Sequence, residues 1–391
     1  MAAGARSREF LERNYPRVSQ RLPDGMMPAL DVVWTVWRKI GYGRYLVLAG
    51  LLALVPIAID NGLMDPIGGG SEYWKSILVT LGIWILLSLG LNVVVGMAGL
   101  LDLGYFAFLM LGAYTTALMT PSGAPDQFHF VEWPVWAALP FALLVAMLAG
   151  VAIGLPVLRL RGDYLAIVTL GFHGAMLLVM TNLSITNGAR GIPAIPTPTI
   201  GDIVFGLTSE YYWWFLLVPA IVLAVIMINH LDNSRVGRYW TAIREDEVAA
   251  SAMGVPVTKM KVLAFVIGAS TSGVAGWVYA TYVTFINPNS FQLLYSVLIL
   301  CAVTVGGLGS IAGSALGAAL VIVLPEVIRQ LGSGDAVLGF DVDTGRVAIF
   351  GLLLIIVMIF KPGGLLASRR RRTELHEFDE GSVPSSQRAG V

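Results

Sequence analysis

The polar residues that could take part in chemistry within the apolar parts of the sequence are few and widely spaced. Asn92 and Asp102 flank a glycine-rich run, and Thr169 and His173 share a second apolar stretch. Each stretch is long enough to cross a lipid bilayer, where a polar group is costly unless it has a partner or faces water. We therefore predict that Asn92, Asp102, Thr169 and His173 are candidates for lining a translocation path.

Each candidate also has a structural interpretation. Asp102 could instead cap a helix that follows a turn, and Asn92 and Thr169 could form hydrogen bonds between helices. His173 is more typical of a buried imidazole with satisfied nitrogens than of a ligand or proton relay. No histidine or carboxylate pair lies nearby at metal-ligand spacing, and the single Cys301 permits neither a disulfide framework nor a cysteine-ligated metal, so we expect no metal site.

A different kind of polar segment lies between residues 231 and 261, where charged residues of both signs are concentrated. Asp232 to Ser234 are helix start signals, and Gly254 followed by Pro256 is a stop signal, so the sequence predicts one short helix between them. A mixed-charge helix face is usually solvated. Apolar residues interrupt this one and are expected to be exposed for docking into a groove on a partner: Tyr239, Trp240, Ile243 and Met253.

The elements that carry these residues follow from composition. Of the 391 residues, 56% are hydrophobic and 13% are charged, and the mean hydropathy is +0.76. This composition predicts an all-α, polytopic transmembrane helix bundle of about ten helices (eight to ten). The predicted spans are 45–60, 76–96, 100–119, 134–158, 164–182, 211–230, 262–285, 292–310, 312–331 and 346–360. The stretch 76–119 would overshoot one bilayer as a single helix, so Gly96, Gly99 and Gly104 predict a break.

The basic residues predict an orientation. With an even number of spans, all but four of the 25 lysines and arginines fall on the side that holds both termini, which the positive-inside rule assigns to the cytoplasm. The exceptions are Lys75, Arg190, Arg329 and Arg346. We predict a basic cytoplasmic arm at 1–44 without a cleavable signal peptide, a transmembrane domain at 45–360 that includes the loop 231–261, and a polar cytoplasmic tail at 361–391.

The charged loop carries a family resemblance. Residues 244–254 resemble the "EAA" coupling loop of ABC importer permeases, and the matching positions are Arg244, Glu245, Asp246, Glu247, Ala249, Ala250 and Gly254. Further motifs in the right order resemble the LivM-type permeases of branched-chain amino-acid importers, at 90–114, 156–171, 186–193, 306–310 and 361–366. The chain departs from that family pattern where His173 follows Phe172 and where Asn187 precedes the 188–191 turn.

The resemblance implies a non-catalytic permease subunit in the bacterial inner membrane, taking up leucine, isoleucine and valine. Its partners would be a second related permease, two ATP-binding cassette subunits and an extracytoplasmic substrate-binding protein, with no nucleic acid. The chain would need no cofactor, because the partner subunits would use ATP and Mg. In agreement, the sequence contains no glycine-rich phosphate loop with a following Lys-Ser/Thr.

Two alternatives remain open at the level of sequence. Permeases of urea and short-chain amide importers are closely similar, so the substrate is not decided by the motifs. A secondary transporter or channel would instead couple through ionisable groups within the membrane, of which the sequence has few: Asp102, His173, Glu326 and Arg329.

Overall fold

The computed structural model describes residues 43–62, 68, 70–121, 133–157, 163–201, 203–206 and 210–331, together with 351–352, 355, 359 and 364–366. Its contacts divide the chain into two units, 1–55 and 56–391, and the bundle described below belongs to the second unit. Most of the predicted arm and tail, Arg159, Arg161 and most of the predicted span 346–360 lie outside the described residues. Within that span Gly351, Leu352, Ile355 and Ile359 are helical.

Nine of the ten predicted spans correspond to helices in the described part of the chain. They are α1 (Gly43–Asp60), α2 (Gly70–Leu91), α3 (Phe106–Met119), α4 (Val135–Val157), α5 (Asp163–Asn182), α6 (Glu210–Asp232), α9 (Val257–Val283), α10 (Leu293–Gly306) and α11 (Ile311–Leu331). Two short helices, α7 (Arg235–Glu245) and α8 (Glu247–Ala252), lie between α6 and α9. Six helical segments are long and apolar enough to cross a membrane, and three shorter apolar helices accompany them. The prediction of an all-α, polytopic bundle is confirmed.

The break predicted after α2 is present and is longer than expected. A π-helical turn, Asn92–Met97, continues α2, and Gly99 then adopts a positive φ of 71° that few other residues tolerate. The chain does not resume as an α-helix until Phe106. Two further positive-φ glycines, Gly307 and Gly309, separate α10 from α11, so α10 ends earlier than the predicted 310.

Helix α9 is the centre of the bundle and packs on α2, α3 and α4. Small residues let the backbones approach closely: a Cβ on Gly276 would lie 2.8 Å from the backbone nitrogen of Ala113 in α3, and one on Gly150 of α4 would lie 3.0 Å from the carbonyl oxygen of Phe265. The glycines at four-residue spacing in α4 and α9 thus serve helix packing.

The two ends of the bundle differ in how their connections are built. We call the turns at 96–104, 233–256 and 307–310 the coupling-loop end. The opposite end holds 3₁₀ turns at Ser184–Thr186, Gly188–Arg190 and Pro288–Phe291, with a hairpin of β1 (Thr199–Ile200) and β2 (Ile203–Val204). There the N–H of Ile192 donates to the carbonyl of Ile286 (2.8 Å), which joins the segment after α5 to the segment after α9.

Candidate functional site

The charged loop forms two helices, not the single helix that the sequence predicted. Ser234 caps α7 by accepting the N–H of Val236, and Asp246 caps α8 by accepting the N–H groups of Val248 (2.8 Å) and Ala249 (3.0 Å). Asp246 itself is extended, with φ −153° and ψ 111°. The prediction was wrong because Asp246 has its own capping preference, which ends α7 and begins α8 at one residue.

The apolar residues of this loop divide between the bundle and solvent. Trp240 and Ile243 were expected to be exposed, but both are buried, and the indole nitrogen of Trp240 donates to the carbonyl of Met260 (2.8 Å). Tyr239 is half-buried. This expectation was wrong because α7 is amphipathic and uses its apolar face to dock onto the start of α9 within the same subunit.

The exposed apolar surface lies on and just after α8 and includes Met253, whose exposure was expected. Met253 is 85% exposed and Val248 is 58% exposed, with exposed Ala249 on the same short helix, whereas Ala250 points inward and is buried. Gly254 then ends the helix with a φ of 82°. An exposed methionine and valine on a charged loop form a surface that is costly to leave in water. We call Val248, Ala249 and Met253 the α8 surface.

The same loop is attached to the broken part of α2. The guanidinium of Arg244 donates to the carbonyl of Gly96 (2.9 Å), and a Cβ on Gly99 would lie only 2.5 Å from the Cγ of Arg244. Because a π-helical turn and the residues after it leave carbonyls without regular helical donors, a guanidinium is a suitable partner there. Residue 244 therefore joins the charged loop to the break at 92–104.

An ion pair fixes α8 to α9. The ammonium of Lys261 lies 2.7 Å from a carboxylate oxygen of Glu247, and the Lys261 side chain is only 4% exposed. At the level of sequence Lys261 contributed only to the predicted orientation, and this pair was not predicted. The signal was available, since a lysine one turn inside an apolar helix needs an anionic partner, and Glu247 is the nearest acid before it that is not a helix cap.

Asn92 links the break to the turn before α11. Its side-chain oxygen accepts the N–H of Gly309 (2.8 Å), while its amide nitrogen has no hydrogen-bond partner among the described residues. Asn92 is fully buried. This hydrogen bond joins two separate segments, as the structural interpretation of Asn92 expected. The predicted role of Asn92 in a translocation path stays untested.

Asp102 and Thr169 are brought together at the start of α3. One carboxylate oxygen of Asp102 accepts the N–H of Gly104 (2.8 Å), and the hydroxyl of Thr169 accepts the N–H of Leu103 (3.0 Å). The hydroxyl of Ser296, from α10, accepts the N–H of Phe106 (3.1 Å). Side chains from three parts of the chain thus accept hydrogen bonds from the backbone N–H groups just before α3 and at its first residue. Capping was one of the two interpretations of Asp102.

His173 follows one turn after Thr169 and is 1% exposed. Its ring lies against the backbone of Gly104 and Phe291, yet neither ring nitrogen has a hydrogen bond among the described residues. The imidazole is therefore buried, as predicted, against two backbone groups. No group of three metal-ligating side chains occurs within the described part of the chain.

These features define the class of protein: a polytopic helical membrane protein with a charged loop that is anchored to a broken apolar helix. A family model for the permease component of branched-chain amino acid transport systems matches residues 73–360. The chain belongs to this family.

Named relatives agree with this assignment. The chain is 36% identical over 375 residues to the high-affinity branched-chain amino acid permease protein LivM of Escherichia coli K12, covering 90% of this chain and 80% of the relative. It is 27% identical to a probable LivM of Methanocaldococcus jannaschii, covering 75% of this chain and 93% of the relative. It is 27% identical to the high-affinity branched-chain amino acid permease protein BraD of Pseudomonas aeruginosa, covering 72% of this chain and 91% of the relative. No solved structure gives a significant match.

Proposed function

We propose that this chain is the permease subunit of an ATP-driven importer that takes up leucine, isoleucine and valine. It would itself be non-catalytic and work with a second related permease, two ATP-binding cassette subunits that use ATP and Mg, and an extracytoplasmic substrate-binding protein. Named relatives include both LivM and LivH permeases, which supports a pair of related permeases. The coupling-loop end would face the cytoplasm, as would both termini, because the basic residues of the loop lie there.

The α8 surface is the observation that carries the coupling part of this proposal. Exposed apolar side chains on a short helix within a charged loop suit a groove on a soluble partner. Arg244 supports transmission, because movement of the loop would pull directly on the carbonyl of Gly96 in the broken part of α2. Asn92 would carry that displacement on to the turn at Gly309. Asp102, Thr169 and His173 remain proposed path residues.

The decisive experiment changes only what the partner would meet. Met253→Asp places a charge on the exposed α8 surface, and Ala249→Trp adds bulk there, so we expect both to leave insertion intact. We expect roughly 10- to 100-fold weaker binding of the ATP-binding subunits, as for other central interface residues. The measurements are co-purification of those subunits and ATP-dependent uptake of labelled leucine in vesicles.

Lys259→Ala is the matched control, since Lys259 is exposed at the same end of the bundle but lies beyond the α8 surface. It should leave assembly and uptake unchanged. Normal assembly and normal uptake in both the Met253 and Ala249 variants would exclude the α8 surface as the coupling site. Leucine uptake that persists without the ATP-binding subunits would instead favour a secondary transporter.

A further inference from the structure

A groove of about 430 Å³ lies between α2, α10 and α11, toward the end of the bundle opposite the coupling loop. It runs along α2 from Ser76 to Trp84, a distance of roughly 12 Å at the rise of an α-helix. Its volume falls within the roughly 300–1,000 Å³ typical of small-molecule sites. None of the four residues predicted to line a path contributes to it.

The inner part of the groove is apolar and the outer part is polar. Trp84 and Val321 are buried in its wall, and Leu298 faces them from α10. Ser76 and Glu326 line the other end, where α2 begins and α11 approaches its end. The groove therefore combines an apolar compartment with polar groups toward the other end, the arrangement that a small amphipathic ligand requires.

Hydrogen-bond acceptors line the groove from its polar end to its middle. Pro325 has no N–H, so the carbonyl of Val321, four residues earlier, lacks its helical donor, and both residues line the groove. The hydroxyls of Ser76 and Thr80 already donate to carbonyls of their own helix, which leaves their oxygens able only to accept. With the Glu326 carboxylate, these groups suit a ligand that brings several donors, such as an ammonium.

The guanidinium of Arg329 lies beside these acceptors. Arg329, one turn beyond Glu326, donates its Nε to a Glu326 carboxylate oxygen (2.5 Å) and a terminal N–H to the Tyr73 hydroxyl, and its guanidinium carbon lies 5.2 Å from the centroid of the Tyr73 ring. The Arg329 side chain is 43% exposed, while that of Glu326 is 15% exposed. Arg329 does not line the groove itself, but its other terminal nitrogen bonds to neither Glu326 nor Tyr73 and can donate to a carboxylate. Glu326 and Arg329 therefore match the two charges of a zwitterion.

We propose that this groove is a binding site for a small apolar α-amino acid on its way through the permease. The ammonium would bind Glu326 and the carbonyl of Val321, the carboxylate would bind Arg329, and the branched side chain would pack against Trp84 and Leu298. This inference rests on the proposed function for its substrate class. A lipid acyl chain is the competing occupant, but it would have no use for the ion pair or the acceptors.

Thiol labelling in the assembled complex tests the proposal. In a Cys301→Ser background, which removes the only native thiol, Thr80→Cys places a thiol in the groove. We expect it to react with a membrane-impermeant, water-soluble thiol reagent. Leucine at about twice its dissociation constant should slow the reaction about threefold, by simple occupancy, and glutamate should not.

Two further variants test which groups hold the ligand. Glu326→Gln keeps the shape of the side chain and removes its charge, so it should weaken leucine protection about tenfold. Glu72→Gln, an exposed acid at the same end of the bundle that does not line the groove, should leave protection unchanged. Leu316→Cys, on an exposed part of α11 outside the groove, should react only with a lipid-soluble maleimide.

Three outcomes would overturn the proposal. Reaction of Thr80→Cys only with the lipid-soluble reagent would make the groove an acyl-chain site, and reaction with neither reagent would mean that protein fills it. Aqueous reaction without leucine protection would exclude amino-acid binding. Leucine uptake by the Cys301→Ser complex is measured in parallel: its absence speaks against the proposed function, whereas uptake without protection speaks against the groove alone.

Discussion

Helices α5 and α9 are both apolar enough to span a membrane, yet they have very different surroundings. In the most apolar window of α9, 61% of the residues are buried within the subunit, compared with 28% in α5. Helix α5 is nevertheless the more apolar of the two. Hydropathy therefore does not report which helix is central, because lipid and the interior of a membrane protein are similarly apolar environments.

What distinguishes the two helices is how their small and polar residues are used. The glycines of α9 lie against neighbouring backbones, whereas a Cβ added at Gly171 or Gly174 of α5 would meet no other part of the described chain within 4 Å. Helix α5 has a narrow buried strip that includes Thr169 and His173, and the Thr169 hydroxyl bonds to the break at Leu103. Close backbone packing holds α9, whereas α5 has this narrow strip and its polar contact to the break.

The largest effect should come from filling the close approach in α9. Gly276→Leu would force its side chain into the backbone of α3 at Leu109 and Ala113, so we expect a loss of about 3 kcal/mol or more and little folded subunit. Gly171→Leu is the matched change in α5 and should leave thermal stability in detergent nearly unchanged. Equal losses from the two substitutions would contradict the contrast between these helices.

An intermediate effect should follow from removing the cation at the start of α9. Lys261→Met keeps the bulk of the side chain but leaves Glu247 unpaired, and because Glu247 is partly exposed we expect a cost of about 2 kcal/mol. The change should be visible as a lower melting temperature of the purified complex. Lys259→Met, on the exposed face of the same turn, should have no measurable effect.

A double variant separates the ion pair from other roles of these residues. Glu247→Lys alone places two cations together, and adding Lys261→Glu restores opposite charges, so part of the stability should return. If the double variant were no more stable than the sum of its single changes, the Glu247–Lys261 pair would not be the source of the loss.

The smallest of the three effects concerns the polar strip of α5. Thr169→Val removes the acceptor of the Leu103 N–H and should cost about 1 kcal/mol. Thr181→Val in the same helix removes a hydroxyl that bonds only to a carbonyl of its own helix, that of Leu177, and should cost less. Thermal unfolding of both variants measures the difference, and a larger loss at Thr181 would show that the strip does not hold α5.

Much of the fold could be predicted from local signals. Apolar runs of membrane-spanning length located nine helices with ends that differ by up to six residues, and Gly96, Gly99 and Gly104 marked the break after α2. The division of the charged loop was equally local and was missed, since Asp246 is as good a cap as Ser234. Competition between two start signals in one short segment is what misled the prediction.

The candidate site was less predictable because its contacts are distant in sequence. Arg244 meets Gly96, and Asn92 meets Gly309, across 148 and 217 residues respectively. The burial of Trp240 likewise depends on where α9 begins to pack against α7. No pattern in the neighbouring sequence indicates which distant residue will be the partner.

The amino-acid sequence alone was enough to establish that this chain is a helical membrane protein, where its helices run, and the family to which it belongs. Those properties depend on the length of apolar runs, on the positions of glycines and on short motifs, and each of these signals lies within one continuous stretch of sequence. The packed structure was needed to show that α9 is central, that the α8 surface is exposed, and that α2, α10 and α11 enclose a groove beside Glu326 and Arg329. The cause is that helices of similar hydropathy are sorted by side-chain shape and by polar partners far along the chain, which come together only when the helices pack.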